Sequence, residues 1–238
     1  MVDVRVLVEV VHHVPRLAPR DINADIEASR KNLGVDAVDL WYLHRDDETR
    51  PVAEILETLN AQVSAGRIRY FGCSNWRTGR IASAQAHART HGLQGFSANQ
   101  MMWSLAAANP TALGDPTQVA MDPGMARLHA DTRLAAVPYT AQAHGFFHKL
   151  EAGTITSAGA FRGGVYGDPV NLARHARLRE LRSRTGLSLT ELVLGYVVSQ
   201  PFPTAPVIGP ASLTQLTDSM TAGDVTLAAE DVAYLAGV

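Results

Sequence analysis

Several apolar runs in this chain end on polar residues, and those endings are where chemistry could be done. The run "VDLWYL" stops on His44, followed at once by Arg45, Asp46 and Asp47. Comparable endings are His12–His13, Ser74–Asn75, Asn99–Gln100 and Tyr139–Thr140, while a last run ends on Gly209. An imidazole can give or take a proton near neutral pH. Hydroxyl and carboxamide side chains hold a bound molecule by hydrogen bonds. A single histidine after an apolar run is ordinarily structural, so what positions His44 decides its reading.

The positioning elements alternate. "RVLVEVVHHV" reads as a strand, and "RDINADIEASRKNLG" as a helix capped by Asp21 or Asn23 and stopped by Gly34. "AVDLWYLH" is the next strand. "PVAEILETLNAQVSAG" follows as a helix, with Pro51 in its first turn and Gly66 at its end. Then come strand "IRYFGCSN", helix "WRTGRIASAQAHARTHG", strand "GFSANQ", helix "DPGMARLHADTR" and strand "LAAVPYT". Residues 145–170 read as a loop of about 25 residues, a length usually functional or mobile. Helices "VNLARHARLRELRSRTG" and "SLTELVLGYVVSQ", strand "APVIG", helix "SLTQLTDSM" and helix "AAEDVAYLAGV" complete the chain.

Six strands, each followed by a helix, predict a parallel sheet with right-handed crossovers. A doubly wound sheet lacks its signature here, because no G-x-G-x-x-G follows the first strand. A barrel carries its functional residues at the C-terminal ends of its strands. That is where the polar clusters fall, which favours the barrel and places His44 in a pocket.

The 238 residues suffice for one domain, 1–238, with a sizeable core. Apolar residues make up 46% and charged residues 18%, as in ordinary globular proteins. A net charge of −2 argues against a nucleic-acid surface or an anionic-membrane anchor. One cysteine, Cys73, excludes an internal disulfide and points to a reducing, cytoplasmic compartment. Charged residues interrupt the N-terminal run, and no window reaches the ~18 apolar residues of a membrane helix. Cys73 and the tryptophans Trp41, Trp76 and Trp103 read as core or pocket wall.

"DINADIEASRKNLGVDAVDLWYLHRDD", "GRIRYFGCSNW", "FSANQMMWSL", "VPYTAQAHGFF" and "PVIGPASLTQLTDSM" together resemble the aldo-keto reductases in order and spacing, over about residues 20–230. The resemblance implies a (β/α)8 TIM barrel that reduces carbonyls with NADPH or NADH and needs no metal. It implies that His44 orients the substrate carbonyl. It assigns Ser74, Asn75 and Gln100 to the nicotinamide carboxamide and Tyr139 to stacking on the ring. Gly209, Ser212 and Gln215 then fall where the cofactor phosphates are held, at a helix start that favours anions.

The departures from that family shape the mechanism. Nothing matches the two βα units with which its members begin, so an incomplete barrel of about six strands is expected. Those units carry the family's aspartate and its acid tyrosine. Glu9 and Val10 stand where a Thr-Lys pair is usual, so His44 alone remains of four catalytic residues. Ala211 replaces a common Arg or Lys, and Ser219 a usual Asn.

Three readings remain open. One is a divergent reductase of a small carbonyl substrate, with His44 as acid. Another is a lyase, dehydratase or cyclase that uses the same pocket without a cofactor. The third is a non-catalytic remnant or partner-binding protein. A metal held by His12, His44 and Asp46 or Glu9 is chemically open, but no tight ligand spacing supports it. Exposed parallel edges should be paired or covered, so a homo-oligomer is expected, or an edge covered by residues 145–170 or the terminal helix.

Overall fold

The computed structural model describes residues 15–155 and 161–238. Four short strands form one parallel sheet in the order β1-β2-β3-β4: Val38–Leu43, Ile68–Ser74, Ala98–Gln100 and Ala135–Ala136. Each of these strands is followed by a helix. Helix α1 (Pro19–Leu33) precedes β1, and α2 (Val52–Ser64), α3 (Thr78–His91) and α4 (Pro123–Thr132) make the crossovers. The remaining helices are α5 (Phe146–Glu151), α6 (Val170–Thr185), α7 (Leu189–Val198), α8 (Leu213–Ala222) and α9 (Ala229–Ala236). This is the α/β architecture with parallel strands expected of the sequence.

Several expectations need correction. The strand expected over "RVLVEVVHHV", residues 5–14, lies outside the described residues, and with it Glu9, Val10, His12 and His13. The strand expected over "APVIG" is not a regular ladder strand. Only Thr204 bridges Ala136, while Ala205 N–H donates to Ala136 O and Val207 N–H to Pro138 O, at 2.9 and 2.8 Å. Pro203 lacks the N–H that would face β4 before Ala205, and Pro138 lacks the one that would return to Ala205 O. The loop expected over 145–170 contains the six-residue α5, which buries two phenylalanines, Phe146 and Phe147. Neither Asp21 nor Asn23 caps α1: Ala18 holds that place, with Pro19 fixing the first turn and Asp21 inside it. The terminal helix α9 packs against α6, where Arg174 Nε and Nη2 donate to Ala236 O at 3.3 and 3.2 Å.

The apolar interior divides into two large clusters, with a small third around Ala141, Leu194 and Ala222. One lies between the sheet and the first four helices, around Ile22, Ile26, Leu43, Leu56, Phe71 and Ile81. The other lies among α5, α6, α7 and α9, around Phe146, Leu178, Leu181, Leu192 and Leu235. Trp103 packs against both. Cys73 and Trp76 are fully buried, as the sequence suggested.

Candidate active site

The C-terminal ends of the strands converge on Asn75. β2 ends at Ser74, and the next residue turns into the left-handed region, with φ 58° at Asn75. Asparagine tolerates that region better than most residues. The turn sends the side chain across the sheet ends. Its backbone N–H donates to Gln100 O at 2.9 Å, and its Nδ2 donates to Ser74 Oγ at 2.9 Å. Tyr139, after β4, donates its hydroxyl to Asn75 Oδ1 at 2.7 Å. Ser74, Asn75, Gln100 and Tyr139 are therefore one group. Burial pushes the Tyr139 phenol up to about 12, so it holds its proton as the donor of that bond.

A long segment after β3 crosses this group. Met102 bridges Ala120 and Tyr139, and Val119 N–H donates to Asn75 Oδ1 at 3.1 Å. Arg45 reaches over from the end of β1 to hold the segment. Its Nε donates to Thr117 Oγ1 at 2.8 Å and its Nη2 to Asp115 Oδ2 at 3.0 Å. Burial alone would raise the Asp115 carboxyl. The Thr117 hydroxyl and N–H together with Arg45 outweigh it and hold Asp115 at about 2.

His44 lies beside this group rather than inside it. Its side chain is exposed, and its carbonyl accepts from Arg45 Nη1 at 2.8 Å. A cleft of about 230 Å³ next to it is lined by Asp46, Asn75, Arg77, Thr117 and Val119. Asp46 is committed elsewhere, since both of its oxygens accept from Arg80 at 2.9 Å. Among the described residues, no three His, Cys, Asp or Glu side chains stand where they could share a metal ion.

From Thr140 onward a larger cavity opens, of about 790 Å³. Gly209 and Gln215 line it, opposite His144, His148, Lys149 and Arg162. Ser212 does not line it. It caps α8 instead, accepting from Gln215 N–H at 3.2 Å, while Gln215 Oε1 accepts from Ala211 N–H at 2.7 Å. His144 and His148 are held below the usual histidine range, chiefly by burial, so both are neutral at pH 7. Arg162 and Lys149 supply positive charge on this wall. Arg162 Nη2 lies 3.3 Å from both ring nitrogens of His144, and Lys149 Nζ donates to His144 O at 2.9 Å. Thr140 Oγ1, on the same cavity, is buried against the Tyr166 hydroxyl.

His148, Lys149, Arg162 and Asp218 were not foreseen as lining residues. The only trace of the first two in the sequence is their position after the strand-end Tyr139–Thr140. Asp218 lies one turn beyond Gln215 on α8, a spacing that could have marked it.

Parallel strands joined by helices, with a polar group at the strand ends and a long cavity beside it, define a βα enzyme-type scaffold. The model of the Aldo/keto reductase family matches residues 1–238, and the chain belongs to that family. It is 29% identical over 215 residues to "Uncharacterized oxidoreductase YrpG" of Bacillus subtilis, covering 87% of this chain and 60% of the relative. It is 26% identical over 218 residues to norsolorinic acid reductase B of Aspergillus parasiticus, covering 90% of this chain and 54% of that one. The solved structure of the thermostable aldo-keto reductase Tm1743 with the inhibitor epalrestat shares the fold, with a TM-score of 0.65 and 17% identity. That likeness covers 93% of this chain and 67% of the other. The chain thus spans little more than half the length of the curated relatives it matches. Among its described residues, no helix is long and apolar enough to cross a membrane.

Proposed function

We propose that this protein is a nicotinamide-nucleotide-dependent reductase of a small carbonyl substrate. The observation that carries the reading is the grouping of Ser74, Asn75, Gln100 and Tyr139 at the strand ends, with a large cavity leading off from the adjacent Thr140. The residues present fit the cofactor. Lys149 and Arg162 suit a phosphate-bearing chain in the cavity, while Asn75, proposed to bind the carboxamide, lines the smaller cleft beside it.

In this reading Ser74, Asn75 and Gln100 bind the carboxamide, and Tyr139 supports the ring with its face. Gly209 and Gln215 line the phosphate end, where Ser212 acts indirectly by fixing the start of α8. A nucleotide held by these residues would supply a hydride to the carbonyl carbon. His44 would give the proton to the carbonyl oxygen from its imidazolium form, a competent acid near neutral pH. Tyr139 is unsuited to that task, since its proton is bound to Asn75 and its phenol is pushed up to about 12. With Ala211 uncharged and the carboxylate of Asp218 lining the same cavity, NADPH gains little over NADH. The proposal includes self-association through α8, where Leu213 and Met220 are 69% and 61% exposed.

Titration with NADH and NADPH tests the reading, followed by a screen of small carbonyl compounds. Binding of both nucleotides with similar affinity is expected, with turnover that His44→Ala removes while the fold stays intact. Absence of binding by either at millimolar concentration overturns it and leaves a cofactor-independent chemistry for the pocket. Full turnover by His44→Ala would remove the histidine from the mechanism.

A further inference from the structure

Asn75 is a planar amide whose two ends are chemically opposite, so its usefulness depends on which way it faces. A backbone N–H can only donate. Val119 N–H therefore requires the oxygen of Asn75 on its side, and the Tyr139 hydroxyl points at that same oxygen. With Oδ1 committed twice, Nδ2 turns to Ser74 Oγ. Ser74 then accepts through its oxygen, and its own hydrogen is free for a further acceptor.

What keeps Val119 there is not local. Residues 115–117 form a tight turn, in which Asp115 Oδ1 accepts from Thr117 N–H and Oγ1 at 2.8 and 2.6 Å. Arg45 grips both members of that turn with separate nitrogens, two residues before Val119. The pair is shielded, with the Arg45 side chain 16% and Asp115 29% exposed, so it is screened less than an open surface pair.

We propose that Arg45 is a positioning residue: by pinning the Asp115–Thr117 turn it seats Val119 on Asn75 and thereby fixes which way the Asn75 carboxamide faces. The proposal goes beyond the reductase reading and rests on it only for the identity of the ligand. Arginine is required over lysine because only a guanidinium offers two separated donors, one to a hydroxyl and one to a carboxylate.

The test compares Arg45→Ala, Arg45→Lys and Thr117→Val with Arg69→Ala, which breaks the exposed Arg69–Asp39 pair as a control. One readout is the side-chain amide signal of Asn75 in the nitrogen-15 spectrum, assigned by its loss in Asn75→Asp. The other is NADH affinity by fluorescence titration. In Arg45→Ala the Asn75 amide signal should move toward that of a free carboxamide, and NADH binding should weaken roughly fivefold to tenfold, the loss of one net hydrogen bond. Arg45→Lys should restore less than half of either effect, Thr117→Val should shift the amide in the same direction, and Arg69→Ala should change neither. If Arg45→Ala does not fold, Thr117→Val, which removes the Nε partner and the hydroxyl bond to Asp115 but keeps the Arg45–Asp115 contact, decides by the same signal. An Asn75 amide unmoved in these variants overturns the proposal. A moved amide, with NADH binding to neither wild type nor variant, supports the positioning role and removes the cofactor reading alone.

Discussion

The hydroxyl of Tyr139 donates to Oδ1 of Asn75 at 2.7 Å, joining two residues 64 positions apart at the ends of different strands. That bond ties the aromatic proposed to support the nicotinamide ring to the amide proposed to hold its carboxamide.

Tyr139→Phe keeps the ring and removes the bond. Asn75 would retain Val119 as its remaining donor on Oδ1, so the fold should persist with a loss of about 1 kcal/mol. Thermal melts read this as a fall of a few degrees. In the wild type the Tyr139 phenol, pushed up to about 12 by burial, should contribute nothing to phenolate absorbance at pH 10. Difference spectra against Tyr139→Phe check that, and a phenolate signal below pH 10 would contradict the geometry.

His129 governs part of the acid stability. It is fully buried, with Nδ1 donating to Leu134 O at 2.7 Å and Nε2 accepting from Asn99 Nδ2 at 3.2 Å. Burial holds its folded pKa below the ordinary 6.5, although the bond to Leu134 opposes this. As pH falls through about 6.5 the unfolded chain gains a proton that the folded chain refuses, so stability drops. His144, His148 and His175, lowered chiefly by burial, act in the same direction. Urea midpoints at pH 7.5 and 5.5 should differ in the wild type and differ less in His129→Gln. An equal difference in both would show that His129 titrates alike in the two states.

Gly72 sits where β2 admits no side chain. A Cβ there would stand 2.5 Å from the Tyr42 ring, its register partner, and 2.8 Å from Ala98 O on β3. The backbone oxygen cannot move without parting β2 from β3. Gly72→Ala should therefore destabilise by about 2 kcal/mol, read as a lower denaturant midpoint with an unchanged slope. A neutral substitution would mean that the sheet yields at this point.

The regular elements were legible because period and punctuation agreed. Gly34, Gly92 and Gly186 end α1, α3 and α6 in the left-handed conformation, as their places in the sequence suggest. Strand ends were legible too, and Ser74, Asn75, Gln100 and Tyr139 do meet. The last strand was not, since hydrophobicity marks "APVIG" while Pro138 and Pro203 thin its hydrogen bonds. Ser212 was read as part of a phosphate loop, but its hydroxyl caps its own helix, a role that resemblance alone could not separate from binding. The grip of Arg45 on Thr117 spans 72 residues, and no local pattern announces a contact of that range.

Trp103 borders two apolar interiors that otherwise share few residues. Such a division allows each half to melt as its own cooperative unit. An indole at the seam loses packing when either half opens, whereas Trp76 is buried in the sheet-side cluster and responds only to that one. Emission from Trp103 and Trp76, isolated in single-tryptophan variants, would thus resolve the order in which the halves come apart during denaturation. A shared transition at both would make the seam the strongest part of the molecule, and separate transitions would make it a hinge line between two folding units.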